Sequence, residues 1–343
     1  MVRAVFFRPY CFEYKVKGNT IMKEKILHIL KEAQGYVSGQ DLSRMLSVSR
    51  SAVWKSINAL RKDGYVIDSV TNKGYCLQIS PDILSAGEVC NGLATKQIGK
   101  KLLFFSRVDS TNEELKRRAR TGAESGLVCT AEQQIAGKGR LGRSWVSPPG
   151  TGIFASVLLR PDIPPTEVPG ITLAAGLAVC RAVQTTTGCK AKIKWPNDVL
   201  IGNKKLCGIL TEIAAEADKV DFIIIGIGIN ANNAHFPEEI AHKATSLLLE
   251  TGHRIDRRTL LREVLKQLEI YTDEFFTDAT GSVVNEYKTE CATLGRQVRV
   301  LRGKEMLEGT AVDISDTGAL IIQQPNGVRI TASAGDTTVQ GLY

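Results

Sequence analysis

The 343-residue chain is 43% hydrophobic and 23% charged, a balance that supports buried cores and excludes disordered and fibrous classes. Its longest apolar run, Phe222 to Ile229, stops short of the roughly 18 residues a membrane-spanning helix needs, so no membrane partner is expected. The net charge of +8 is lopsided, because residues 1–80 hold 13 Lys and Arg against 6 Asp and Glu whereas the remainder hold 31 against 30. Charge alone fits either a basic lobe that meets a polyanion or a solvated basic face.

The eight cysteines (Cys11, Cys76, Cys90, Cys129, Cys180, Cys189, Cys207, Cys291) form no CxxC pair and sit mostly in apolar surroundings. They read as buried thiols of a reducing, cytoplasmic compartment. Four histidines offer no HExxH, so no metal site is expected. Residues 1–21 lack the apolar core and cleavage site of a secretory signal and read as an extension, with an upstream start or an organelle presequence left open.

From Met22, Ile26, Ile29, Leu30 and Ala33 fall at helical spacing and predict a helix ending near Gly35. Ser38 is placed to cap a second helix, and Ser47-Val48-Ser49 turns into a third with Val53, Ile57 and Leu60 inward. Beyond Gly64 the period changes to two, and Thr71-Asn72-Lys73-Gly74 separates two short strands. Three helices and a hairpin over residues 22–80 make a winged helix-turn-helix. Its third helix would offer Arg50, Ser51, Lys55 and Asn58 to DNA bases and phosphates and its wing Lys73 to the backbone, with a protein-interaction module of the same shape as the other reading.

Residues 81–101, with Pro81 and Gly87, read as a linker holding a short helix. An α/β segment follows at 102–290, with strands expected at Leu102–Val108, Gly126–Ala131, Thr151–Leu159, Ala191–Ile201, Gly208–Ile213 and Phe222–Ile229. Helical patterns occupy Thr111–Thr121, Glu167–Thr187 and about Asp256–Phe276. Several strands succeed one another without helices, so a mixed sheet is predicted and not a doubly wound one. Residues 291–343, with turns at Asp316-Thr317-Gly318 and Pro325-Asn326-Gly327, read as a small β-barrel. The class is therefore a multidomain α+β protein.

The densest chemical signal is Gly137-Lys138-Gly139-Arg140-Leu141-Gly142-Arg143-Ser144-Trp145. Glycines let main-chain N–H groups approach an anion while Lys138, Arg140 and Arg143 neutralise it, so the loop reads as a phosphate clamp, or else as a solvated basic loop. GxxxxGK[ST] is absent. Gly226-Ile227-Gly228-Ile229-Asn230-Ala231 fits GxGxx(G/A), but the following residues through Pro237 cannot open the long helix of a dinucleotide site.

Asp109-Ser110-Thr111-Asn112, Gln134-Ile135-Ala136 leading into that loop, Lys194-Trp195-Pro196-Asn197-Asp198, Lys205-Leu206-Cys207-Gly208-Ile209-Leu210 and Gly226-Ile227-Gly228-Ile229-Asn230 stand in the order and approximate spacing of biotin–protein ligases. With the helix-turn-helix and the last segment, residues 22–343 resemble the bifunctional branch that joins ligase to biotin operon repressor. The resemblance implies a central domain of the biotin/lipoate ligase type with biotin and ATP as substrates, Mg²⁺ entering with ATP, and a biotin carboxyl-carrier domain as acceptor. It also implies operator DNA and a ligand-promoted homodimer.

By that resemblance Ser110, Thr111, Asn112 and Gln134 meet the biotin head, and Lys138, Gly139 and Arg140 close over biotin and phosphate. Lys205 holds the biotin carboxylate; Arg140, Arg143, Trp145 and Asn230 serve ATP and the adenylate. Lys205, Arg140 and Asp198 carry catalysis, with Asp198 steering or deprotonating the incoming lysine. The loop carries Lys138 where the family often has Arg, which keeps the charge and loses a planar fork. Local sequence alone reads Lys205 as a hairpin lysine, Ser110 and Thr111 as a helix cap, and Asp198 and Asn230 as turn residues. Lipoate ligation on the same scaffold, a ligase whose N-terminal module no longer binds DNA, and a biotin sensor without transferase activity are the rival readings.

Overall fold

The computed structural model describes residues 18–33, 35–216, 218–277, 281–333 and 335–343. Residues 1–17 of the expected extension lie outside the described residues, and α1 (Gly18–Glu32) begins four residues ahead of Met22. It is followed by α2 (Gly39–Leu46) and α3 (Arg50–Lys62), then by the antiparallel pair β1 (Val66–Val70) and β2 (Gly74–Ile79). Ser38 Oγ accepts from Asp41 N at 3.0 Å and Ser49 Oγ from Ala52 N at 3.2 Å, so both inner helices start on a side-chain cap. Ile26, Leu27, Leu30, Leu42, Val53, Ile57 and Leu60 close a core of their own. This is the winged helix-turn-helix.

The segment read as a linker is packed, because its apolar residues need burial. Around α4 (Ala86–Val89), Leu84, Val89, Leu93 and Ile98 join the main core of the molecule. Glu88, 2% exposed, lies 2.7 Å from Lys31 of α1 and 3.1 Å from Arg258, and so stitches the N-terminal module to the body.

The body opens with β3 (Leu102–Phe105), α5 (Thr111–Arg120), β4 (Val128–Ala131), β5 (Ile153–Leu159) and α6 (Val168–Thr187). It continues through β6 (Ala191–Lys194), β7 (Asp198–Ile201), β8 (Lys204–Glu216) and β9 (Lys219–Ile229). Helices α7 (Glu238–Ala241), α8 (Leu247–Thr251), α9 (Arg257–Thr277) and α10 (Ser282–Glu290) complete it. Seven strands form one sheet in the order β3-β4-β5-β9-β8-β7-β6, parallel between β3 and β4 and antiparallel elsewhere. The mixed sheet is as predicted. Both faces of β9 are covered, Ile223, Ile225, Ile227 and Ile229 joining the core that holds α6 and α9, and Phe222 and Ile224 the one that holds α5. That double burial explains its unbroken apolar run.

One strand expected over Ala191–Ile201 is two, turning at Trp195-Pro196-Asn197 with Lys194 opposite Asp198. Proline cannot donate to a ladder, and the buried Trp195 sends its indole N–H to Gly318 O at 3.0 Å. The turn thus brings Asn197 and Asp198 to the sheet's end.

The last segment holds β10 (Gln297–Arg302), β11 (Glu305–Ile314), β12 (Leu320–Gln323), β13 (Arg329–Ala332) and β14 (Asp336–Val339), ordered β13-β12-β11-β10-β14. The expected barrel is an open sheet, because among the described residues no ladder joins its end strands β13 and β14. Each has four residues, and β14 enters beside the body, where Gly335 and Asp336 take arginines described below.

Candidate functional site

At the ends of β7, β8 and β9 the sheet opens into a cavity of about 800 Å³. All twelve residues that sequence reasoning assigned to biotin, nucleotide or catalysis line it, although they are drawn from five separate motifs.

Its inner end is a network of neutral groups. Ser110 stands at the N-cap of α5 without a side-chain capping bond; Gln134 Oε1 takes the exposed N–H of Thr111 at 2.9 Å instead. Ser156 Oγ on β5 lies 2.7 Å from Thr111 Oγ1 and 2.6 Å from Asn112 Oδ1. Asn112 Nδ2 donates to Glu212 at 2.8 Å, and Lys116 holds Glu212 at 2.6 Å, so the amide is fixed in one sense. Any side chain at Gly226 would meet Asn112, since a Cβ there would stand 2.2 Å from its Oδ1.

Over the sheet lies the loop of glycines and cations, folded on itself by Gly139 N donating to Arg143 O at 2.7 Å and Trp145 N to Gly137 O at 2.8 Å. Arg140 donates to Asn197 Oδ1 and to Gly335 O, both at 2.8 Å. Burial pulls the Arg140 guanidinium down from its usual pKa, with Asp198 and Asp336 opposing that shift. Arg143 pairs with Asp336, so the loop is tied to the C-terminal sheet. Lys138 turns outward to Glu113 at 2.7 Å. Trp145 lies so close to Gly228 that a Cβ there would come within 2.6 Å of its ring, and its buried Nε1 has no hydrogen-bond partner among the described residues.

At the cavity's charged end Lys205 Nζ lies 2.7 Å from Asp198 Oδ1 and 5.5 Å from the centre of the Trp145 ring. Lys194 is 6% exposed; burial lowers its pKa, and its ammonium sits 3.7 Å over the Tyr343 ring. The Tyr343 hydroxyl donates to Asp198 Oδ2. Asn230 also lines the cavity, yet its side chain donates to Thr245 O at 3.0 Å and holds a loop.

Sequence reasoning missed Ser156, Lys194, Asn197, Asp336 and Tyr343. Lys194 and Asn197 carry a signal, since both lie inside the Lys194–Asp198 motif. Ser156 is hidden in an apolar strand, and only the fold returns Asp336 and Tyr343 to the site.

On α3, Arg50, Ser51 and Lys55 are exposed. Asn58 is half-buried and accepts from Arg61 at 3.4 Å, and Lys73 on the wing stands 5.9 Å from the Tyr36 ring centre. Trp54, 56% exposed and one helical turn from both Arg50 and Asn58, was also missed. Among the described residues no three His, Cys, Asp or Glu gather as a metal site, and no helix is long and apolar enough to cross a membrane.

Polar head groups, a folded cation loop and a Lys205–Asp198 pair in one cavity define a ligand-activating α/β domain joined to a winged helix-turn-helix. Comparison with known proteins gives the match. Residues 104–230 match the Biotin/lipoate A/B protein ligase family, residues 23–76 an HTH domain and residues 293–337 the Biotin protein ligase C terminal domain. The chain is 37% identical to the bifunctional ligase/repressor BirA of Bacillus spizizenii, over 92% of this chain and 98% of that one. It is 29% identical to the protein of that name from Escherichia coli, over 90% and 94%. A biotin protein ligase from Aquifex aeolicus, solved with biotin and ATP, superposes with a TM-score of 0.61 at 32% identity, covering 70% of this chain and 98% of that one. The chain therefore belongs to the BirA family of bifunctional ligase/repressors.

Proposed function

We propose that this chain is an ATP-dependent biotin–protein ligase and a biotin-responsive transcriptional repressor. The observation that carries the ligase reading is the single cavity, in which a neutral hydrogen-bonding end faces a cationic end. Donors and acceptors from Ser110, Thr111, Asn112 and Gln134, with Ser156 holding Thr111 and Asn112 from behind, suit a ureido ring, and Lys205 suits the carboxylate at the other end of the same molecule.

In the first step the biotin carboxylate oxygen attacks the α-phosphorus of ATP and pyrophosphate leaves. Lys205 positions the carboxylate, while Arg140 and Arg143 meet charge developing on the phosphate oxygens. Trp145 covers the nucleotide side, and Asn230 holds the loop beneath it. In the second step the amine of a carrier-domain lysine attacks the acyl carbon and AMP leaves. Asp198 is suited to guide that ammonium and take its proton. Among the described residues no carboxylate cluster would cage Mg²⁺, and we expect the ion to arrive on the ATP phosphates and assign the protein no step through it.

Arg50, Ser51, Lys55 and Asn58 would meet the bases and phosphates of an operator, and Lys73 its backbone. One such module makes few base contacts, so a biotinyl-adenylate-promoted homodimer would supply two half-site readers at fixed spacing. Both activities fit a cytoplasmic protein. The ligase test is incubation with ATP, Mg²⁺, biotin and a biotin carboxyl-carrier domain, with a mass gain expected on one lysine; no gain on a folded acceptor overturns it. For the switch, sedimentation should move toward dimer only with biotin and ATP together.

A further inference from the structure

Asp198 divides its two oxygens between a residue of the neighbouring strand and one far along the chain. Oδ1 faces Lys205 at 2.7 Å, on the strand next to its own, and Oδ2 accepts from the hydroxyl of Tyr343, the last residue of the sequence. Tyr343 is held on three sides. Its backbone N–H donates to Asn203 O at 3.1 Å, its ring carries the Lys194 ammonium at 3.7 Å, and its hydroxyl is fixed on the carboxylate. The match to the Biotin protein ligase C terminal domain ends at residue 337, so Tyr343 lies beyond it.

We propose that Tyr343 is a positioning residue for acyl transfer, holding Asp198 in place when Lys205 leaves it for the substrate carboxylate. The inference rests on the ligase reading above. With Lys205 paired to Asp198, the carboxylate has two anchors; once Lys205 turns to biotin, the hydroxyl of Tyr343 is the anchor that remains. It keeps Oδ2 engaged and leaves Oδ1 open toward the cavity, where the ammonium of the carrier lysine must arrive and lose its proton. Without that bond the carboxylate is free to follow Lys205 or to turn toward the buried Lys194, and the distance to the incoming nitrogen is no longer set. Burial and the neighbouring Asp198 both raise the phenol's pKa, so the hydroxyl remains a donor at working pH. The Lys194 contact gives the ring a second reason to stay, since a desolvated ammonium is attracted to an aromatic face.

The two functions of the side chain can be separated. Tyr343→Phe removes the hydroxyl and keeps the ring under Lys194; Tyr343→Leu removes both. Each half-reaction is measured alone, adenylation by pyrophosphate exchange with biotin and ATP, and transfer by single turnover from preformed biotinyl-adenylate to a carrier domain. Tyr343→Phe should lower the transfer rate constant about tenfold while the carrier KM, the adenylation rate and the melting temperature stay near those of the unmutated chain. Tyr343→Leu should lose transfer at least as far. Equal losses in both half-reactions for Tyr343→Phe would mean a merely structural residue and overturn the assignment, as would transfer at the unmutated rate. If the unmutated chain itself neither exchanges pyrophosphate nor labels the carrier, the ligase reading falls and this assignment with it; activity in the unmutated chain with no effect of Tyr343→Phe sinks this assignment alone.

Discussion

In the cavity Arg140, Arg143, Lys138 and Lys205 each rest on an acceptor supplied by the protein, whereas Arg50 and Lys55 on α3 stand in solvent with no ion-pair partner among the described residues. The difference follows from what each set would meet. A duplex brings a line of phosphates with a loose ion atmosphere, and exposed cations bind it by releasing those ions without losing partners of their own. A phosphoryl group in transition must be met at one point, so the cavity's cations are held beforehand by Asn197, Gly335, Asp336 and Asp198. An arriving anion exchanges with those partners instead of recruiting cations from water.

The contrast breaks most visibly at the cavity. Arg140→Ala should lower adenylate formation by roughly 100- to 1,000-fold, the usual cost of removing one group that meets developing charge, and Lys205→Ala should lower it as well by leaving the carboxylate unplaced. DNA binding without ligand should stay as it was, because neither side chain is on the N-terminal module. Pyrophosphate exchange at the unmutated rate in either variant would refute the roles given to these cations.

The next effect tests whether the two regions are independent. Glu88 is buried between Lys31 of the winged module and Arg258 of α9, so Glu88→Ala leaves Lys31 with only the Gly87 carbonyl while Arg258 keeps Asp256. Leaving the half-buried Lys31 without its carboxylate costs less than the roughly 3–5 kcal/mol of a fully buried pair, and should appear as a lower melting temperature and a separate transition for the N-terminal module. A chain begun at Pro81 should lose DNA binding and keep part of its biotinylation. Complete loss of activity in a folded truncation would show that the seam at Glu88 also supports the catalytic cavity.

How far the sequence could reach is visible at these same places. The five motifs came from local patterns, and their residues meet because strands end together at one edge of the sheet. The helix cap at Ser38 was legible because it needs only three following residues, and the turn at Ser47-Val48-Ser49 was legible too, though Ser49's capping role was not assigned. Asp336 and Tyr343 were not, since they reach Arg143 and Asp198 across a C-terminal sheet whose attachment no local pattern encodes. The barrel expectation failed for a related reason: strand spacing predicts that strands exist and is silent on whether the first and last meet. Likewise the Pro and Gly of residues 81–101 suggested a tether, while the burial of Leu84, Val89, Leu93 and Ile98 makes it part of the core.

On α3 the expected changes are smaller and of another kind. Arg50→Ala and Lys55→Ala should each weaken operator binding about tenfold and reduce the slope of log affinity against log salt by about 1 where the lost contact is to phosphate. Biotinylation of the carrier should be unaffected. An unchanged salt slope in both variants would mean that α3 does not face the duplex.

A last effect lies at the seam between the two regions and depends on pH. Glu24 on α1 is pushed up to about 7 by burial, with Lys23 and Lys31 pulling the other way. It sits against Gly87 of α4, and Tyr65, just ahead of β1, interacts both with it and with Glu88. A carboxyl whose pKa is higher in the folded chain than its ordinary 4.5 favours folding in its protonated form. Its contribution is therefore complete below about pH 4.5 and is lost as pH rises through about 7. The docked winged module should accordingly be harder to unfold with denaturant at pH 5 than at pH 8. Glu24→Gln, which stays neutral, should flatten that dependence while leaving α1 in place. If the variant keeps the full difference between the two pH values, the proton is taken up elsewhere and Glu24 does not set the strength of the seam.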